Sequence, residues 1–425
     1  MRAPPSQAIS FTVSFAVFVF FATMLSVPRG YTAGAALLLL TSFYYLGRGL
    51  VMRGTGHVGS SAGAPHVFAL SREDKTLLWL FTAIWFAGLI SFLYHGNTSR
   101  SLDLPSRYLL AVPVLLLLLA YRPCLKMLWG GLIAGSVSGA GVGLWQVQVR
   151  GDVRAFGFTG GIQFGDLSLM MGILCLAGLV WTASLSRHKR LWQAGLLLGV
   201  AAGVCGSVAS GTRGGWAALP VVALLFSLAL VKRHNVRRAT LSLLSAGVAL
   251  AFIAGSVPII KDRYNEGIAD IQQYRAGHAE TSLGMRFAMW EGAVTLIEEK
   301  PLLGWSDTGY RSRLEEVVAA RHPNGASLVL NNLHNTYLEI WVLQGTVGLL
   351  ALLALLVSSF WFFCRRLRNK NAVIQAMALG GTTLVASYSI FSLTQIMLGR
   401  NNTLLFFVVA LVAFWACLRH EERRI

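Results

Sequence analysis

Long apolar runs alternate with short polar turns along most of the chain. Most runs approach the roughly 20 residues with which an α-helix crosses a bilayer. Length and apolarity therefore predict an all-α polytopic membrane protein of about twelve transmembrane helices. Eleven or thirteen spans remain alternatives, because the third, fourth and fifth runs follow one another closely. The expected spans are 8–27, 31–47, 76–94, 106–121, 126–147, 164–185, 191–209, 214–231, 239–257, 345–364, 373–395 and 402–418.

One polar stretch, between the ninth and tenth spans, is far longer than the others. Its apolar positions predict two amphipathic helices, the first of which ends before Pro301. The positions expected on the apolar faces are Phe287, Trp290, Val294 and Ile297 in the first helix, and Leu314, Val317 and Val318 in the second. The chain divides accordingly into residues 1–257 with spans one to nine, a helical loop at 258–333, and residues 334–425 with the last three spans and a short tail.

Basic residues predict the orientation of these segments. Of the 36 Lys and Arg residues, 21 fall on the side of the N-terminus, eight in the long loop and seven in the short turns on the loop's side. Short segments rich in Lys and Arg face the cytoplasm. Both termini are therefore expected to be cytoplasmic, with the first span retained, and the long loop is expected on the external face.

Composition excludes an ordinary soluble enzyme. The chain of 425 residues is 55% hydrophobic and 13% charged, whereas soluble proteins carry about 25% charged residues. The net charge of +18 would suggest nucleic acid in a soluble protein, but here the basic residues set orientation, and no nucleic-acid partner is expected. Five cysteines without a CxxC pair support neither a disulfide framework nor a zinc site. The glycines at 131, 135 and 139 have the spacing that lets helices pack closely in lipid.

Four polar residues lie at the predicted external ends of the spans: Arg154, Arg213, Arg286 and His334. Arginine stays charged and makes paired hydrogen bonds to phosphate oxygens. A histidine at a helix start near cationic arginines has its charged form disfavoured, so His334 is expected to be neutral near pH 7 and able to accept a proton. No DxD or HExxH motif occurs, and no metal or cofactor is expected.

Each of these residues also has a simpler interpretation. An arginine at a span end commonly reaches toward lipid phosphate, and this holds above all for Arg154. Arg286 could form the polar face of its helix, and a lone interfacial histidine is more often structural than catalytic. Asp166 could orient an arginine or be a solvated interface residue. Asn335 and Tyr337 are expected to support His334.

Three stretches resemble the O-antigen ligase and polymerase superfamily in order, spacing and position around a large external loop. They are Gly211-Thr-Arg-Gly-Gly-Trp216, then Arg286-Phe-Ala-Met-Trp290 running into Glu299-Lys-Pro-Leu-Leu-Gly-Trp305, then His334-Asn-Thr-Tyr-Leu-Glu339 followed by Gly345-Thr-Val-Gly348. The resemblance covers about residues 150–350. The stretch Gly160-Gly-Ile-Gln163 departs from the Asn-Pro-like pattern of several relatives.

This resemblance implies a GT-C-like membrane glycosyltransferase of the bacterial inner membrane with its site on the periplasmic face. It implies a donor glycan on undecaprenyl pyrophosphate and, for a ligase, lipid A–core oligosaccharide as the acceptor. By resemblance, His334 is the essential loop histidine, and Arg213, Arg286 and, by a shorter match, Arg154 bind the donor pyrophosphate. The expected reaction is metal-independent transfer with inversion.

Other functions are compatible with many of the same sequence features. An O-antigen polymerase or a protein O-oligosaccharyltransferase would use the same donor, and the sequence separates them from a ligase poorly. The chain ends seven residues after Leu418, and the lack of a large C-terminal domain favours the ligase. A transporter of lipid-linked glycans fits the number of spans and the cationic face. However, transporters usually carry charged groups near the bilayer midplane and repeated halves, which this sequence lacks.

Overall fold

The computed structural model describes residues 5–54, 70–212, 214–231, 258–322 and 329–425. These residues form fourteen α-helices and no β-strand, which confirms the all-α fold class. The helices are α1 Pro5–Thr23, α2 Gly30–Gly54, α3 Arg72–His95, α4 Asp103–Ala120, α5 Leu125–Leu144, α6 Gly161–Trp181, α7 Lys189–Ser210, α8 Leu219–Leu230, α9 Pro258–Arg275, α10 Ser282–Glu299, α11 Gly309–Arg321, α12 Thr336–Cys364, α13 Ala372–Phe391 and α14 Asn401–Glu422.

Eight helical segments in the described part of the chain are long and apolar enough to cross a membrane, and Gln7–Thr23 and Gly214–Leu230 are shorter apolar helices. The protein is therefore a multi-pass membrane protein. The predicted ninth span, 239–257, lies outside the described residues, so the count of twelve remains a prediction.

Glycines allow α1 and α5 to approach each other closely, as the small-residue spacing predicts. Gly131 and Gly135 of α5 lie directly against the backbone carbonyls of Phe18 and Phe21 in α1, where a side chain would collide. Gly139 packs against the Leu25 side chain just beyond α1. Without a hydrophobic driving force between helices in lipid, such close van der Waals contact holds neighbouring helices together.

Helix α12 begins nine residues before the predicted start of the tenth span at 345. Gly345 has a left-handed, non-helical backbone (φ 63°, ψ −166°), and it divides α12 into a short first part and the long apolar part. The backbone groups that this break frees from the helix bond to the loop: Trp305 N donates to Val342 O at 2.7 Å and Thr346 N to Pro301 O at 2.8 Å. The first part of α12 is thereby fastened to the loop, and apolarity alone did not show this.

The two loop helices occur where they are predicted, as α10 and α11. The apolar face predicted for α10 is wrong in part, because Val294 is 47% exposed. The helix instead buries a face of small residues, among them Ala288, Gly292 and Ala293. Gly292 lies against Leu314 and Val318 of α11, and this close contact needs a residue without a side chain.

The helices α13 and α14 form the centre of the bundle, and their apolar stretches are 83% and 89% buried. We call the end of the bundle at which α13 ends and α14 begins the loop end. The loop covers this end through contacts such as that of His95 Nε2 at the end of α3 with Leu303 O at 3.2 Å. Residues 392–400, the turn that joins α13 to α14, lie beneath the loop.

Candidate functional site

The turn 392–400 fixes the start of α12. The backbone N–H of Thr336 donates to Ser392 O at 2.8 Å. Its hydroxyl donates to Gln395 O at 2.9 Å and accepts from Met397 N at 3.0 Å. Thr336 is fully buried, so these bonds are protected from water. They place the residues just before α12 against the turn.

His334 occupies a strained backbone position within this arrangement. Its φ of 50° is left-handed, which is uncommon for a residue with a Cβ and persists only where surrounding contacts enforce it. His334 N donates to Asn332 Oδ1 at 3.1 Å. On the preceding residue, Leu333 N donates to Glu339 Oε2 at 2.8 Å and Leu333 O accepts from Trp290 Nε1 at 2.7 Å. The loop helix α10 and the first turn of α12 thus hold the histidine from both sides.

The surroundings of His334 favour the neutral imidazole. Burial, followed by the positive charges of Arg286 and Arg400, lowers the pKa of His334 from 6.5 to about 4, and a hydrogen bond with the Gln395 side chain opposes this shift. Nδ1 is buried and has no hydrogen-bond partner among the described residues. The ring is therefore uncharged at pH 7, as the sequence predicts.

Arg286 lies in the first turns of α10. Thr281 caps the N-terminus of this helix, and its side chain accepts a hydrogen bond from Gly284 N at 3.1 Å. Arg286 Nη1 donates a long bond of 3.5 Å to Thr394 O in the turn 392–400. Together with its electrostatic effect on His334, this contact brings the arginine from the loop to the bundle.

Arg213 lies outside the described residues, but both of its neighbours are described. Thr212 Oγ1 donates to Gly161 O at 3.1 Å, at the start of α6. Gly214 packs so closely on Thr394 Oγ1 that a side chain would not fit. The turn that carries position 213 is therefore held against Thr394, the residue that Arg286 also reaches.

Asp166 is fully buried, so its interpretation as a solvated interface residue is wrong. Its Oδ1 lies against Gly215, where an added side chain would collide with it. Burying a carboxylate is costly unless polar groups face it. Asp166 therefore packs against the turn at Gly215, two residues after Arg213.

Arg154 is exposed and lies at the same end of the bundle. Its guanidinium packs over Gly161, whose carbonyl bonds Thr212 from the other side. Arg154 makes no hydrogen bond within the described part of the chain. It is brought beside the Thr212 turn, but no described contact joins it to His334.

Asn335 and Tyr337 make contacts that position the backbone. Asn335 caps α12, its side-chain oxygen accepting from Tyr337 N at 3.0 Å and Leu338 N at 3.2 Å. The Tyr337 hydroxyl donates to Ser389 O at 2.8 Å in α13. Both residues hold the start of α12 in register with α13, directly after His334.

Arg400 was not singled out in the sequence. It is exposed at the start of α14, and its guanidinium makes no hydrogen bond to any described residue, yet its charge acts on His334 and on Glu339. The sequence did contain evidence for Arg400. It is one of the seven basic residues in short turns on the loop's side, where the positive-inside rule predicts few. Gln395, which bonds His334, carried no such signal.

The group has the composition of an anion site with a base. In the described residues, no three His, Cys, Asp or Glu side chains are grouped so that they could hold a metal ion. The positive charges of two arginines, Arg286 and Arg400, act on a neutral imidazole. Fixed cations can stabilise a phosphate leaving group, and a neutral imidazole can accept a proton.

Part of the chain is similar in sequence to known proteins. The O-antigen ligase family model matches residues 198–353, the stretch that contains Arg213, Arg286 and His334. An uncharacterized protein of Haemophilus influenzae is 27% identical over 96% of this chain and 98% of its own length. A protein of Escherichia coli K12 named O-antigen ligase is 28% identical over 38% of this chain and 42% of its own length. The three motifs lie in or beside the stretch that the family model matches, and these similarities support assignment to the O-antigen ligase superfamily.

Proposed function

We propose that the protein is an O-antigen ligase of the inner membrane. It transfers O-antigen polysaccharide from undecaprenyl pyrophosphate to lipid A–core oligosaccharide on the periplasmic face. The observation that carries this proposal is the neutral, strained His334 at the loop end, on which the charges of Arg286 and Arg400 act. The bias of basic residues toward the other end of the bundle supports the periplasmic location of this end.

The reaction is a single displacement. His334 removes the proton from an acceptor sugar hydroxyl, whose oxygen forms a bond to the anomeric carbon of the donor. The bond from that carbon to the pyrophosphate oxygen breaks, and the pyrophosphate leaves with the electron pair. Attack opposite the leaving group inverts the anomeric centre.

Arg286, Arg213 and Arg400 bind the pyrophosphate, with Arg154 at the edge of the group. Negative charge grows on the leaving group in the transition state, and a fixed donor aimed at such charge is worth roughly 3 kcal/mol. The contacts of Arg286 and of Gly214 with the same residue, Thr394, support a clamp built around the turn 392–400.

The electrostatics connect donor binding to the strength of the base. In the donor-free protein, the arginine charges contribute to a pKa of about 4 for His334, which makes it a weak base. A bound pyrophosphate offsets those charges, so the pKa of His334 rises toward its ordinary value and the imidazole gains basicity. His334 is therefore a competent base chiefly when the donor is in place.

An O-antigen polymerase is the second candidate, because it uses the same donor and would need the same base and clamp. The name of the partial E. coli relative, O-antigen ligase, favours the ligase. A protein O-oligosaccharyltransferase differs only in its acceptor. The presence of a base beside the clamp argues against a transporter, which needs no proton acceptor for an acceptor hydroxyl.

Two experiments test the proposal. In a strain that lacks this chain, a ligase predicts loss of polymer on lipid A–core while lipid-linked polymer accumulates, whereas shortened chains would identify a polymerase. In the second, the purified protein in detergent is supplied with undecaprenyl-pyrophosphate-linked polymer and lipid A–core. Transfer without any ion gradient is expected, and absence of transfer by the folded protein would overturn the assignment.

A further inference from the structure

An apolar groove runs down the outside of the bundle between α2, α4 and α14. It encloses about 220 Å³ and is lined almost entirely by aliphatic side chains, including Ala36, Leu39, Leu110, Val114 and Val412. The one charged residue in its lining is Arg107. The lining indicates a site for a hydrocarbon chain, since a polar ligand would find few partners there.

The groove starts at the loop end and descends along three helices. All three helices begin at the loop end, and the lining residues come from their first turns, 32–39, 107–114 and 405–412. Eight residues of helix rise about 10 Å, which is roughly a third of the hydrocarbon thickness of a bilayer. A chain in this groove would enter from the level of the candidate site and run toward the membrane centre.

The mouth of the groove adjoins the candidate site. Arg107 Nε donates to Asn401 Oδ1 at 2.8 Å, and Arg107 Nη2 donates to both carboxylate oxygens of Asp103 at 2.8 and 3.0 Å. Asp103 thus neutralises Arg107. Asn401 directly follows Arg400, the exposed cation whose charge acts on His334. The mouth is therefore one residue from the proposed pyrophosphate clamp.

We propose that this groove binds the first isoprene units of the donor's polyprenyl chain, with the pyrophosphate held at its mouth by Arg400. The inference rests on the proposed function, since it assigns a place to part of that donor. In the donor, only the pyrophosphate separates the lipid chain from the reacting carbon. The lipid chain must therefore begin within a pyrophosphate's length of the site.

The acceptor has no such constraint. Its core sugars separate the acyl chains of lipid A from the hydroxyl that reacts, so these chains can lie well away from His334. An ordinary phospholipid also fits an apolar groove and would compete there with the donor's lipid chain. Competition by a polyprenyl pyrophosphate distinguishes these occupants.

Photo-cross-linking tests the occupant directly. A benzophenone amino acid at position 110, on the 38% exposed Leu110, is placed in the full-length protein in nanodiscs of phosphatidylethanolamine and phosphatidylglycerol. With undecaprenyl pyrophosphate added, mass spectrometry should find a polyprenyl adduct, and the same label at Val357, 66% exposed on α12, should not form it. Adducts of phospholipid alone at position 110 would overturn the proposal.

Filling the groove tests its role in transfer. Ala36 lies one turn below the mouth, and Ala36→Trp should raise KM for an undecaprenyl donor about tenfold, the equivalent of 1.4 kcal/mol. A donor with a single isoprene unit should be unaffected, because it ends above position 36. Ala36→Leu should give a smaller effect of the same kind, and Val357→Trp none.

Three outcomes separate the two proposals. Equal KM changes for long and short donors, or none in a variant with unchanged melting temperature, overturn the groove assignment and leave the ligase assignment standing. If Ala36→Trp does not fold, Ala36→Leu and the cross-link decide the question. Absence of transfer by the wild-type protein from either donor overturns the proposed function itself.

Discussion

The two ends of the helical bundle use arginine in opposite ways. At the end away from the loop, arginines form a continuous network with acidic residues. Arg366 bonds Glu422 at 2.6 Å and Glu73 at 2.8 Å, and Arg419 bonds Glu422 at 2.5 Å and the fully buried Asp74 at 3.2 Å. Trp415 also donates to Asp74, at 2.9 Å. These cations compensate the buried Asp74 and the half-buried Glu73 and Glu422. They fasten α3 and α14 to the segment that follows α12.

At the loop end, two cations of the site have no acidic hydrogen-bond partner among the described residues. The side chains of Arg154 and Arg400 are exposed and make no hydrogen bond in that part of the chain. The charges of Arg286 and Arg400 oppose the protonation of His334. The difference shows that basic residues alone do not identify a site. Positive charge that the protein itself does not compensate indicates where an anionic ligand belongs.

The largest effect is expected from His334→Ala, which removes the proposed base. The rate of transfer by purified protein should fall by about 10³-fold, within the range for a general base. His278→Ala, in an exposed part of the loop, should leave the rate unchanged. Transfer by His334→Ala near the wild-type level would show that His334 is not the base.

Breaking the network at the opposite end should affect stability. Arg419→Met leaves the buried Asp74 with only the more distant cation Arg423, at 3.5 Å. It should lower the free energy of unfolding by about 1.5–3 kcal/mol, the range for loss of a hydrogen bond to a charged group. Arg400→Met should not lower it, since no described acid depends on Arg400 for a bond. Denaturant or thermal unfolding in detergent measures both. Equal losses would remove the contrast between the ends.

The geometry of the clamp is tested by Arg286→Lys. Lysine keeps the charge but loses the planar pair of donors, so kcat should fall by about 10²-fold, comparable to loss of one transition-state donor. Arg321→Lys, which replaces a loop arginine bonded to Thr295, is the matched control. If Arg286→Lys and Arg213→Lys both retained full transfer, the two arginines would act through their positive charge alone, and the proposed clamp geometry would be wrong.

The smallest effect concerns pH. Burial, then the positive charges of Arg286 and Arg400, lower the pKa of His334 to about 4. Wild-type kcat/KM should therefore fall through protonation of the base only as the pH falls through about 4. In Arg400→Gln, the pKa of His334 rises and the acid limb moves to higher pH. The ratio of kcat/KM at pH 5 to that at pH 8 should fall about twofold for a pKa near 5. Arg150→Gln, whose arginine is paired with Asp152 at 3.0 Å, should keep the wild-type ratio.

Local patterns were sufficient to predict most of the helices and part of the site. Apolar length located the spans, and the period of apolar residues located α10 and α11, since both depend on neighbouring residues in the chain. Arg286 and His334 stood out because of the motifs that surround them in the sequence. The burial of Val294 was predicted wrongly, because the face that α10 buries depends on its packing partner α11.

Long-range packing decided the remaining features. The start of α12 at Thr336 depends on bonds to the turn 392–400, and the strained backbone of His334 depends on Trp290 and Glu339. The effect of Arg400 on His334 joins residues far apart in the chain, as does the pairing of Glu73 with Arg366 at the other end. The sequence does not show whether a given basic residue is neutralised by an acid. Only the folded bundle shows this, because charge compensation and desolvation are set by neighbours in space.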